Sequence, residues 1–152
     1  MPKGNEKGKA PTSGTSKGKA MDFSTVKPFD PLPERDENGK VLIYPCVIFN
    51  IETGKKGPKG EYDVVDFEVQ GPEKYKKRRL FRNYSTTEQS LPFYMELLTA
   101  ANKDADLGSD FVMSIEEWVG LPVGIGVENE TYDEQIRSRV KRVYPASKAN
   151  IS

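Results

Sequence analysis

Tyr62-Asp63-Val64-Val65-Asp66-Phe67-Glu68-Val69-Gln70 is the stretch on which the fold turns. Val65, Phe67 and Val69 recur at every second position, with Val64, Asp66, Glu68 and Gln70 between them. A period of two marks a β-strand with one face on a core and the other in water. Upstream, residues 41–51 are almost wholly apolar and carry Val, Ile, Tyr and Phe, the pattern of a strand covered on both faces. Between the two lies Gly54-Lys55-Lys56-Gly57-Pro58-Lys59-Gly60, read as a flexible basic loop. It lacks the Gly-Lys-Ser/Thr ending that a phosphate-cradling nucleotide loop requires.

Downstream, after Gly71-Pro72, comes Glu73-Lys74-Tyr75-Lys76-Lys77-Arg78-Arg79-Leu80-Phe81-Arg82-Asn83-Tyr84, six cations interleaved with three aromatic rings in a segment that reads as a third strand. Lys and Arg neutralise phosphates, and unpaired bases stack on exposed rings at about 1–3 kcal/mol each. The same charges also suit a solvated edge strand that must repel other edges. Alternation puts Arg78, Leu80, Arg82 and Tyr84 on one side and Arg79, Phe81 and Asn83 on the other, so one ring of Phe81 and Tyr84 belongs to the core.

A helix follows at Ser90-Leu91-Pro92, where proline fits only the first turn, and Phe93, Leu97, Leu98 and Ala101 form its expected buried stripe. Ser114-Ile115-Glu116-Glu117 has the form of a capping box opening a short helix through Trp118 that stops at Gly120. Val123, Ile125 and Val127 then alternate in a fourth strand, and a turn at Tyr132-Asp133-Glu134 leads to a fifth. There Ile136 and Val140 are expected to point inward, with Arg137, Arg139 and Lys141 lining the opposite face, a stripe suited to an acidic partner or to solvent.

The formal net charge of the 152 residues is zero, so there is no global positive field and any nucleic-acid binding must come from local segregation of charge. With no His, the commonest general base and metal ligand is missing. The lone Cys46 sits in an apolar run and reads as a small packed hydrophobe. Residues 1–20 hold five Lys, one Glu and no large apolar side chain after Met1, and are expected to be a disordered basic tail. Residues 21–40, punctuated by Pro28, Pro31 and Pro33, read as an extended strap across the core. Residues 41–145 would form one domain and residues 146–152 a short tail. No apolar stretch approaches the length of a membrane span and no hydrophobic leader opens the chain, so a soluble protein of a reducing cytoplasm is expected.

Three strands, a helix, then two strands is the element order of the OB-fold. The expected class is therefore mainly β with one or two short helices, as a five-stranded OB-like Greek-key barrel with a helix between strands three and four. An SH3-like barrel or a small open sheet uses the same elements. The loop at residues 54–60 would clamp phosphate, whereas residues 130–134 are acidic and would not.

The chain from about residue 21 to 145 resembles a family of short phage-encoded proteins long catalogued as a domain of unknown function and associated with single-stranded DNA binding. The resemblance rests on Met21-Asp22-Phe23-Ser24, Phe29-Asp30-Pro31-Leu32-Pro33, Phe67-Glu68-Val69, Arg79-Leu80-Phe81-Arg82-Asn83-Tyr84-Ser85 and the Leu-rich helix. It continues through Gly120-Leu121-Pro122-Val123-Gly124 and Tyr132 to Arg139-Val140-Lys141-Arg142-Val143-Tyr144-Pro145. It implies an OB-like fold and a role on single-stranded DNA in phage replication, recombination or repair, in the cytoplasm of an infected bacterium. Phage or host replication and recombination proteins would be partners, as would further copies of the chain. Residues 34–40 depart from the tighter turn expected before the first strand, and the residues after Pro145 are not acidic, unlike tails that recruit partners.

The leading expectation is thus a binding module without catalysis, cofactor, metal or membrane contact. Tyr62, Tyr75, Phe81 and Tyr84 are its candidate stacking platforms. Lys56, Lys59, Lys76, Lys77, Arg78, Arg79, Arg82, Arg137, Arg139 and Lys141 would hold the backbone. Two other readings stand beside it. One is a phage protein that blocks a host protein through the same sheet face. The other is a metal-dependent nuclease built on Asp66 and Glu68, although Gln70 occupies the position where such a site uses Lys.

Overall fold

A computed structural model describes residues 31–151 of the chain. The expected tail at residues 1–20 and the first ten residues of the expected strap lie outside the described residues. One antiparallel sheet of five strands carries the fold, in the order β3-β2-β1-β4-β5. Its strands are β1 (Tyr44–Gly57), β2 (Gly60–Val69), β3 (Arg79–Ser85), β4 (Pro122–Tyr132) and β5 (Gln135–Pro145). Helix α1 (Leu91–Ala101) and the single turn α2 (Ile115–Trp118) fall between β3 and β4. The expected mainly β chain with a helix after the third strand is what forms. The sheet is open: β3 and β5 are its edges and form no ladder with each other, although the Arg82 guanidinium reaches across to the Lys141 carbonyl at 3.4 Å.

Two bulges set which side chains reach the core. Ile48 pairs with Phe67 and Asn50 with Asp66, so Phe49 is the extra residue of β1. An extra residue shifts the alternation by one. Tyr44, Cys46 and Ile48 face in, Ile51 follows them three positions later, and Phe49 is left 42% exposed, so β1 is not covered on both faces. On β5, Gly126 pairs with Arg142 and Val127 with Val140, which leaves Lys141 unmatched and turns both Val140 and Val143 inward. Ile136 does not join them. It pairs with Thr131 near the hairpin turn, past the point where the core ends at Val127 and Val140, and is 57% exposed.

The basic loop expected at residues 54–60 is a paired hairpin instead. β1 runs to Gly57, and only Pro58 and Lys59 form the turn. Gly54, at φ +73°, adopts the left-handed conformation open to glycine, and its N–H donates to Asp63 Oδ1 at 3.0 Å, which keeps the strands together across an irregularity. At the far hairpin, Asp133 and Glu134 have φ of 52° and 63°, as the tight two-residue turn between twisted strands requires.

Helix α1 buries Tyr94, Leu97 and Leu98, with Ala101 half-buried below them, whereas Phe93, expected in that stripe, is 61% exposed. The helix is turned by what Tyr94 gains. Its ring stacks on Tyr84 with centroids 5.0 Å apart, and its hydroxyl donates to Asp63 Oδ2 at 2.7 Å. The expected capping box at Ser114 is replaced by a backbone bond from Glu117 N–H to the Ser114 carbonyl, with no side-chain cap. Trp118 fills the core beneath it, edge-on to Phe111.

The end of the strap is tied down. Leu32 is fully buried, its N–H donates to Ser138 Oγ and its carbonyl accepts from Asn129 Nδ2, both at 2.9 Å. After β5 the chain returns to the sheet, where Asn150 bonds Ile43 N–H through its side-chain oxygen and the Val41 carbonyl through its side-chain nitrogen. No helix among the described residues is long and apolar enough to cross a membrane.

Candidate nucleic-acid interface

The outward face of β1-β2-β3 carries the side chains that alternation turns away from the core. Across it, Glu68 lies opposite Arg79, Asp66 opposite Phe81 and Val64 opposite Asn83. Phe81 is 59% exposed. Asp66, expected to be wet, is buried: Arg79 Nη1 donates to its Oδ2 at 2.8 Å, and Arg79 Nε lies 3.5 Å from Glu68. The same guanidinium sits 3.3 Å from the centre of the Phe49 ring. Burial pushes the Asp66 carboxyl above the usual carboxylate range, an effect that Arg79 opposes and Glu68 reinforces. Arg79 is thus clamped between two carboxylates and a ring. The carboxylates of the nuclease reading are engaged with it, and no group of three or more metal-ligating side chains occurs among the described residues.

Where β3 approaches β5, Phe81, Arg82, Asn83, Glu130, Arg139 and Val140 line a shallow cleft of about 440 Å³. Here residues of β3 and β5 share a surface. The stripe on β5 faces acids on β4, however. Arg139 lies 3.1 Å from Glu130 and 4.0 Å from Glu128, and Lys141 lies 3.9 Å from Glu128. These pairs are half-exposed, and such surface pairs contribute only about 0.2–1 kcal/mol, so a phosphate can displace the carboxylate at small cost.

The other expected site residues are spread out. Lys56 and Lys59 mark the tip of the β1-β2 hairpin, and the half-buried Tyr62 packs beside Gly57 there. Lys76 and Lys77 are exposed in the turn between β2 and β3, at the opposite end of β2, about 30 Å away at the usual rise per residue. Residues 73–78 are a 3-10 turn and its exit, so the third strand begins only at Arg79. Tyr75 is a core ring, 7% exposed and edge-on to Tyr44 at 6.1 Å, with Arg78 5.9 Å from its centre. Tyr84 is buried as well, at 2%. Of the four expected platforms, Tyr75 and Tyr84 offer no face to a base. Arg137 is exposed near the β4-β5 turn.

Three features escaped sequence reasoning. Phe49 surfaces because alternation from Ile48 turns it outward, on a strand whose apolar run suggested cover on both faces. Phe93 lines a recess with Arg82 and Asn83 and so adds a second exposed ring on that side of β3. Glu128 and Glu130 lie opposite Arg139 and Arg137 in register, which was open to inspection once a two-residue hairpin turn was assumed. No protein-family model matches this chain, and no curated protein matches it.

Proposed function

We propose that the chain is a non-catalytic single-stranded DNA-binding protein, acting in phage DNA replication, recombination or repair, with the β3-β5 cleft at the centre of its contact surface. The observation that carries this reading is Phe81, an exposed ring flanked in one cleft by Arg82 and Arg139. A base stacks on Phe81 while Arg82, Arg139 and Lys141 take the flanking phosphates, Glu128 and Glu130 releasing their cations as the strand arrives. Lys56 and Lys59 extend the track along the hairpin. The strand order supports reading the sheet as an OB-type barrel whose β3-β5 seam is left unpaired, since these edges already lean together at Arg82 and Lys141.

Fluorescence anisotropy with a labelled single-stranded oligonucleotide, its duplex and its RNA counterpart, at several salt concentrations, tests the reading. Single strands should bind more tightly than duplex, because stacking needs unpaired bases and a neutral protein lacks the field for duplex. With three to four phosphates neutralised, log K should fall against log salt with a slope of about −2 to −3. Equal affinity for duplex refutes the stacking role. One observation favours a second reading: the cations of β5 sit within 4.0 Å of carboxylates, and a mixed-charge surface with exposed rings also suits a host protein held as an inhibitor would hold it. A salt slope near zero would favour that reading.

A further inference from the structure

Leu91 and Met95, one helical turn apart on α1, are 45% and 50% exposed. With Leu98, Leu107, Phe111 and Met113 they wall a groove of about 470 Å³ that shares no residue with the β3-β5 cleft. Its polar floor is already satisfied within the chain, since the Tyr94 hydroxyl donates to Asp63. The turn at residues 108–111 divides this groove from a second recess of about 510 Å³, which shares Gly108, Ser109 and Phe111 with it and carries Asp106, Asp110 and Glu117.

The charge around these recesses is one-sided. Residues 102–117 contain Asp104, Asp106, Asp110, Glu116 and Glu117 against Lys103 alone, in a chain whose net charge is zero. The carboxylates of β4 each face a cation of β5, whereas Asp106, Asp110 and Glu117 have no ion-pair partner among the described residues. An apolar groove bordered by unmatched carboxylates is complementary to one kind of occupant and repels a nucleic-acid strand.

We propose that this groove docks a lysine- or arginine-rich amphipathic segment of a partner protein. An aliphatic or aromatic side chain seats between α1 and residues 107–113, and a cationic side chain enters the neighbouring recess. The apolar anchor supplies most of the affinity, while the acidic rim accelerates encounter and rejects acidic partners. The groove is separate from the proposed DNA surface, so the two can be occupied together, and neither proposal depends on the other.

The test uses the full chain and a fluorescein-labelled synthetic amphipathic peptide carrying Leu and Arg at helical spacing, with two control peptides, Leu→Ser and Arg→Glu. Anisotropy should show binding of the parent peptide, undisturbed by a saturating single-stranded oligonucleotide. Both control peptides, and separately the Met95→Lys and the paired Asp110→Lys, Glu117→Lys chains, should bind about tenfold more weakly or worse. All these positions are at least half-exposed or on the rim, so unfolding midpoints should hold; the charge-reversed pair keeps the test valid if Met95→Lys alters the fold. Equal binding of the Leu→Ser peptide would reduce the site to bulk charge attraction and overturn the proposal. Self-association of the free chain that Met95→Lys abolishes would also overturn it, by assigning the groove to a second copy.

Discussion

Replacing Tyr94 by Phe removes a single oxygen, and the structure sets what that oxygen does. Tyr94 is 5% exposed, and its hydroxyl donates to Asp63 Oδ2 at 2.7 Å. Asp63 is 6% exposed, and among the described residues its other oxygen accepts only the Gly54 N–H. Burial, and then the bond to Asp63, push the Tyr94 hydroxyl far above its ordinary value, so it remains a neutral donor over the whole working range of pH. Phenylalanine keeps the stacking on Tyr84 but leaves a buried carboxylate short of one donor. A hydrogen bond to a charged group contributes about 1.5–3 kcal/mol. For a folded unit of this size each kcal/mol is worth roughly 3–6 °C, so the melting temperature should fall by about 5–18 °C. Urea unfolding followed by circular dichroism should give the same loss with an unchanged slope, since the exposed area is unaltered. In a double-mutant cycle, Tyr94→Phe on an Asp63→Asn background should cost much less than on the native chain. A loss below about 0.5 kcal/mol would refute the reasoning, because it would mean that Asp63 recovers its lost donor from water despite its burial.

Phe81→Ala should change folding stability by no more than about 0.5 kcal/mol, since the ring is exposed, yet weaken single-strand binding by about 1–3 kcal/mol with the salt slope intact. Unaltered affinity would move the platform away from the cleft. Ile136→Ala should be nearly neutral to folding, whereas Val140→Ala, on the same strand at 2% exposure, should cost about 2 kcal/mol in urea unfolding; the reverse ranking would contradict a core that ends at Val127 and Val140. Asp66→Asn should change the pH dependence of stability. The raised carboxyl binds its proton more tightly folded than unfolded, so its contribution falls as pH rises from the ordinary carboxylate range through the raised folded value and is unfavourable above it. The stability of Asp66→Asn relative to the native chain should therefore rise across that window and then level off, and a difference that stays flat with pH would disprove the assignment.

Alternation, turn chemistry and helix signals are local, and they carried the order of elements. Val65, Phe67 and Val69 are fully buried as their spacing requires, and α1 starts at Leu91 beside its proline. The opposed faces of Phe81 and Tyr84 were equally legible, because neighbouring strand residues point apart whatever surrounds them. Which of the two faces is the core was not, since that depends on the helix that later covers it. Tyr94 supplies the ring against which Tyr84 stacks, and Phe81 is left outside by default.

The same distinction separates the cations. Their presence on β3 and β5 is written in the chain, but their availability depends on neighbours brought up by strand pairing. Arg79 is claimed by Asp66, Glu68 and the Phe49 ring, while Arg82 reaches the cleft. Bulges lie beyond sequence patterning for a related reason. One extra residue in a ladder is a property of two paired strands, and it reverses the facing of every side chain after it, as Phe49 with Ile51, and Lys141 with Val143, both show. The sequence by itself determined a β-rich chain with a helix after its third strand and cations concentrated in two runs, at residues 74–82 and 137–142. Tertiary structure alone decided which rings and charges meet solvent, because exposure and ion pairing belong to residues far apart in the chain.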